Sequence, residues 1–189
     1  MRDSIMEART GRSFLNFIKK EELPYKDHND VNWIFQDNKG KFWFGTRSNI
    51  RVFDGKTFTT VTNKNGKAFK NVWCIIEDKK GNIWFGDNDG LWRYDGSIFT
   101  NISQEDAISI IEDKNGNIWS SSGGSVILSR YEGKTLFSKM PLVTEIKCPG
   151  GGNFGILEAN DGSIWIGTLN GVYRYNGKTF NDFKIKEGN

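Results

Sequence analysis

The chain has 189 residues, 37% hydrophobic and 26% charged, and its 26 basic and 23 acidic side chains are interspersed for a net charge of +3. That length suits one well-cored domain or a short repeat array, and the mixed charge lacks the one-sided basic face of a nucleic-acid binder. Its 22 Gly, 14 Phe and 7 Trp beside 3 Pro point to tight turns between aromatic strands, and no apolar run reaches the length of a membrane span.

From the N-terminus, "GRSFLNF" at 11–17 reads as an isolated outer strand, because it matches "GKTFTTV" at 55–61. Four units follow, near 31–60, 72–101, 107–138 and 153–183, and residues 1–189 are expected to form a single domain. Each unit opens on an apolar strand that ends at Gln36, Glu77, Glu112 or Glu158. Asp37, Asp78 and Asp113 come next, with Ala159 as the exception; there an Asp, Asp161, stands directly before the turn glycine. The turn glycines Gly40, Gly81, Gly116 and Gly162 are spaced by 41, 35 and 46 residues, and Trp43, Trp84, Trp119 and Trp165 stand three residues beyond them in the second strand. Third strands run through "IRVFDG", "LWRYDG", "ILSRYEG" and "VYRYNG", whose closing Asp-Gly, Glu-Gly or Asn-Gly pairs suit tight turns. Fourth strands are led by Phe58, Phe99, Phe137 and Phe180.

Strands such as "WCIIE" and "NIWFG" are apolar on both faces, so each sheet must be sandwiched between two others. Four short strands per period of about 40 residues, packed in this way, predict an all-β propeller of four-stranded antiparallel blades. The recurring Trp is then a packing residue between blades. The recurring Glu reads as scaffold too, since a catalytic carboxylate pair would break the repeat symmetry.

The unit "VWCIIEDKKGNIWFGDNDGLWRYDGSIF" at 72–99 resembles the two-component regulator propeller repeat, and "QDNKGKFWFG", "EDKNGNIWSS" and "EANDGSIWIG" extend the resemblance over 31–183. The resemblance implies a sensor ectodomain of a bacterial hybrid two-component system, a periplasmic location and a link with carbohydrate sensing. Such sensors carry many more repeats, then a membrane span and a kinase, none of which stands in this sequence, so no signalling output is carried over. A start without an apolar segment implies the cytoplasm if the chain is complete; a domain cut from a longer protein reconciles the two.

An open arc of blades leaves apolar faces in water, so closure is expected. It can come from a four-bladed monomer, from an eight-bladed homodimer trading terminal strands, or from the rest of a longer propeller; the flat strands favour the dimer. Uniform turns on one face of the ring read as scaffold, whereas the variable loops on the other read as the recognition face. There we expect ligand-binding residues Trp33, Arg47, Asn49, Trp73, Asp87, Asp89, Ser122 and Asn170. For Trp33 and Trp73 an aromatic platform competes with inter-blade packing, which is favoured; for Asp87 and Asp89 turn chemistry is favoured over calcium, whose full loop pattern is missing. Arg47 suits a carboxylate or sulfate.

Two cysteines, Cys74 and Cys148, and one histidine, His28, offer no disulfide framework, zinc set or nucleophile–histidine pair. No cofactor, metal or catalytic residue is expected. The sequence reading is a non-catalytic module for a small-molecule, glycan or protein ligand. The alternatives are a lyase-like propeller, for which a lone His28 is a poor basis, and a structural propeller whose self-association is its function.

Overall fold

The computed structural model describes residues 30–63, 65–138 and 141–183. These form four antiparallel sheets of four strands, each in simple meander order. The first holds β1 Val31–Gln36, β2 Phe42–Thr46, β3 Ile50–Phe53 and β4 Phe58–Val61; the second holds β5 Cys74–Glu77, β6 Ile83–Asp87, β7 Gly90–Tyr94 and β8 Phe99–Ser103. The third holds β9 Ser109–Glu112, β10 Ile118–Ser121, β11 Ile127–Tyr131 and β12 Val143–Lys147; the fourth holds β13 Asn153–Glu158, β14 Ile164–Thr168, β15 Gly171–Tyr175 and β16 Phe180–Asp182. The first strands β1, β5, β9 and β13 neighbour one another in chain order, so the sheets are successive blades with their first strands innermost. The strand proposed at 11–17 lies outside the described residues.

The repeated hexapeptide has a physical cause in one carboxylate. In the second blade Asp78 Oδ1 accepts the backbone N–H groups of Lys80 and Asn82, each at 2.9 Å, and Asp78 Oδ2 accepts the Trp84 indole N–H at 2.8 Å. The turn requires a left-handed residue, supplied by Gly81 at φ 83°. Asp37 holds Trp43 and Asp113 holds Trp119 in the same way, both at 2.9 Å. Burial pushes the Asp113 carboxyl upward, but the Trp119 and Asn117 donors outweigh it and hold it below the ordinary carboxylate value. In the fourth blade, where Ala159 replaces the aspartate, the Trp165 indole donates instead to Ser163 Oγ at 3.2 Å. Ser163 is held by Asp161, which also receives Arg174; hydrogen bonds from Ser163, then Arg174, draw the Asp161 carboxyl down to about 2.

Each Trp held by an aspartate enters the core between its own blade and the next. Trp43 and Ile50 of the first blade pack with Ile75, Ile83 and Phe85 of the second. Trp84 and Leu91 pack with Ile110 and Ile118 of the third, and Trp119 and Leu128 with Ile156, Ile164 and Ile166 of the fourth. Three such interfaces, each burying several large apolar side chains, supply the cohesion that no single sheet has alone. The glycines after two of the tryptophans permit close approach: a Cβ at Gly86 would collide with Ala107 O, and one at Gly45 with the Val72 side chain.

The recurring Glu crosses the same interfaces. Glu77, Glu112 and Glu158 accept the turn N–H of the preceding blade, from Asn38, Lys79 and Lys114 respectively, each at 2.8 Å. Their regularity follows from this role as latches.

The third blade departs from the expected pattern. The fourth strand led by Phe137 is replaced there by turns over 133–137, and the edge strand is β12, so this unit extends past residue 138. The physical reason is Leu136, which is buried in the core with Trp84 while its carbonyl accepts Arg93 Nη1 at 2.8 Å. Arg93 and Lys80 lie over the Phe137 ring at 4.6 and 4.4 Å. The segment is thus drawn into the neighbouring blade and pairs only after it returns.

Replacing Asp78 by Ala leaves a buried indole and two turn amides without their acceptor, and is expected to lower unfolding stability by about 2–4 kcal/mol in urea denaturation. Asp161→Ala, at an exposed carboxylate, is expected to cost less.

Candidate functional site

The loops between second and third strands lie on the same side of the blades as the inter-blade connections, and backbone hydrogen bonds join the two sets. Asn71 N donates to Arg47 O, Val72 N to Thr46 O, and Ala107 N to Asp87 O. The eight residues expected at a ligand site therefore share a face, but they form no single cluster.

Trp33, the third residue of β1, and Trp73, just before β5, are half exposed. The Trp33 indole donates to Ile75 O of the next blade at 2.8 Å, whereas the Trp73 indole donates to Asn88 Oδ1 at 2.9 Å. Arg47 is exposed and pairs with Asp30 at 3.3 Å. Asn49 is buried and its backbone N–H donates to Thr46 Oγ1 within its own turn. Ser122, also buried, donates its hydroxyl to Asp106, and Asn170 is exposed at the tip of the fourth blade's loop. Asp89 is exposed and pairs with Lys67 at 3.0 Å, a solvated contact that contributes little stability.

Asp87 is buried, and its Oδ1 accepts the Trp92 indole at 3.1 Å and Asp89 N at 2.9 Å, while its Oδ2 is enclosed without a partner among the described residues. Burial pushes this carboxyl up to about 6; the Trp92 bond opposes the shift and the Asp89 charge adds to it. Both cysteines are buried, and burial pushes the Cys74 thiol up to about 12 and the Cys148 thiol to about 11, which leaves neither as a thiolate nucleophile at neutral pH. Among the described residues no group of His, Cys, Asp and Glu is placed to hold a metal ion.

Among the described residues a groove runs along the second blade, which the sequence reading missed. One part, of about 470 Å³, is lined by Asn63, Lys67, Asn88, Asp89, Asn101 and Gln104 around Trp92. A second part, of about 590 Å³, continues past Asn63, Trp92 and Asn101 toward Ser97 and Ile98. Its outer wall is the connection over 62–71, which the Thr62–Ala68 bridge and the Asn63 side chain fold back on itself. Phe69 anchors that wall, packing edge-on against Phe85 at 4.6 Å and Trp92 at 5.1 Å. The available signal was Phe69: a large apolar side chain in a connection otherwise made of polar residues, one glycine and one alanine marks a loop pinned to the core.

Among known proteins, the model of the two component regulator propeller matches residues 26–48 and 66–92. No curated protein matches the chain significantly. The extracellular domain of a proposed hybrid two-component system from B. thetaiotaomicron is 23% identical with a TM-score of 0.66, over 79% of this chain and 22% of that one. A proposed one-component system from the same organism gives 19% identity and a TM-score of 0.71, over 87% and 24% of the two chains. Virginiamycin B lyase from Staphylococcus aureus gives 19% and 0.66, over 86% and 58%. The chain thus spans less than a quarter of the two sensor ectodomains. An inactive form of the lyase carries a histidine-to-alanine change; here the one histidine, His28, lies outside the described residues.

Asp87 binds its proton more tightly in the folded than in the unfolded chain, where its carboxyl sits near 3.8. The associated stability is therefore fully present below about pH 4 and lost as pH rises through about 6, on the order of 2–3 kcal/mol. Asp87→Asn keeps an acceptor for Trp92 without the charge. In urea denaturation from pH 4 to 8 it is expected to gain stability relative to the parent as pH rises, and an unchanged difference between the two proteins would refute the assignment.

Four successive four-stranded blades make this an all-β propeller chain, in which residues 26–48 and 66–92 match the model of the two component regulator propeller.

Proposed function

We propose that the chain is a recognition module without chemistry of its own, and that it binds a neutral, hydroxyl-rich ligand of the carbohydrate class in the groove along the second blade. The observation that carries this reading is the lining: amides from Asn63, Asn88, Asn101 and Gln104 around an indole, with one opposed Lys67–Asp89 pair. An amide offers a donor and an acceptor together, which matches the dual character of a sugar hydroxyl. Trp92 supplies apolar surface for a ring, and Asp87 and Phe69 hold it in place. The likeness to extracellular domains of two-component systems supports a sensing role over a catalytic one. Trp73, tied to Asn88, couples the inner mouth to the groove.

Calorimetric titration with maltotriose, cellotriose, mannotriose, xylotriose and N-acetylchitotriose tests the reading. At least one is expected to bind with one site per chain, and the Asn101→Ala, Gln104→Ala double variant is expected to weaken it about tenfold with the fold intact. Binding by none, or an affinity indifferent to the double variant, would refute it.

A further inference from the structure

We propose that the two end blades are the halves of a fourth inter-blade interface, and that a second copy of this chain completes it, giving a ring of eight blades from two chains. Equivalent positions of the four repeats differ sharply in exposure. At each internal interface the innermost-strand isoleucine of the later blade is enclosed: Ile75 is 0%, Ile110 4% and Ile156 9% exposed. The corresponding residue of the first blade, Ile34, is 60% exposed. The partners of those isoleucines in the earlier blades are Phe35, Ile76 and Ile111, each packed against the core cluster of its interface. Their counterpart in the fourth blade, Leu157, is 63% exposed.

Polar features at the two ends match as well. Asn160 occupies the turn position of Asn38, Lys79 and Lys114, whose N–H groups each donate to a Glu of the next blade. The position of those glutamates is Gln36 in the first blade, exposed at the end of β1, with a side-chain oxygen able to accept the Asn160 N–H. Gly167 follows Trp165 as Gly45 and Gly86 follow their tryptophans, yet no neighbouring chain lies over it: a Cβ there would meet only Gly155 N, at 4.0 Å. The glycine that admits the next blade at two of the three internal interfaces, with Ser121 at the third, is present where no blade arrives.

The number of copies follows from closure. No strand of the first sheet contacts the fourth as neighbouring blades contact each other among the described residues, so the four blades do not form their own ring. Because the free faces differ, their contact is head to tail and must close to avoid a filament. Two copies give eight blades, within the range of known propellers, whereas three would give twelve.

Light scattering of the full chain across a hundredfold range of concentration is the test, with circular dichroism to verify the fold. A mass of about 43 kDa, twice the chain's 21.5 kDa, is expected. Leu157→Glu and Ile34→Lys, both at exposed positions, are each expected to reduce it to the single-chain mass, and the double variant, which opposes the two charges, to restore it. A single-chain mass at every concentration would overturn the proposal and leave these faces to further blades of a longer protein. A mass beyond two chains, or a dimer indifferent to Leu157→Glu, would overturn it as well.

Discussion

The aspartate that receives two turn amides and an indole is the constraint from which the rest of this structure is built. A short antiparallel sheet has little core of its own and gains stability only when its faces are covered. The Asp–Trp contact spans six residues, so a local sequence feature fixes the rotamer of the side chain that must fill the gap to the next blade. Local turn chemistry and long-range packing thereby favour the same geometry, the agreement between levels that a repeat protein needs. The fourth blade tests this logic within one molecule: Ala159 removes the carboxylate, and Ser163 with Asp161 and Arg174 rebuilds an anchor for Trp165 by another route.

A scaffold fixed at its turns leaves the opposite face free to vary. The connection over 62–71 illustrates how such variation shapes a groove: Phe69 ties the loop into the aromatic core, and its polar residues then line the groove together with Asn101 and Gln104. Asp87 links both layers, since the carboxylate that orients Trp92 is itself enclosed in the blade. Its raised affinity for a proton shows the local cost of using a buried charge to position a groove-lining ring.

The sequence disclosed the architecture because the repeat is spelled in residues whose roles are local: Asp, Gly and Trp at fixed offsets, and glutamates whose regularity matched their function as latches. Where the structure departs from expectation, the cause is tertiary. Phe58 directly follows "DGKT", whereas after "EGKT" Leu136 comes before Phe137, and that Leu136 is captured by the adjacent blade, which no periodicity reveals. The variable loops were legible in the sequence, and the groove along the second blade far less. Of the eight residues expected there, only Asp89 lines the groove, whereas Asn49 and Ser122 turn inward to bond their own loops or the adjacent connection. The side chains that assemble the groove lie on separated segments, and only the folded Phe69 loop brings them together.

Amide hydrogen exchange at the three latched turn residues, Asn38, Lys79 and Lys114, tests the account of blade-to-blade registration most directly. These amides lie in exposed turns, so strong protection can come only from the glutamate of the next blade. The account predicts slow exchange at all three, and loss of protection at Lys79 alone in a Glu112→Ala variant. Exchange at Lys79 as fast as in an unstructured peptide, or protection that survives removal of the Glu112 carboxylate, would contradict it.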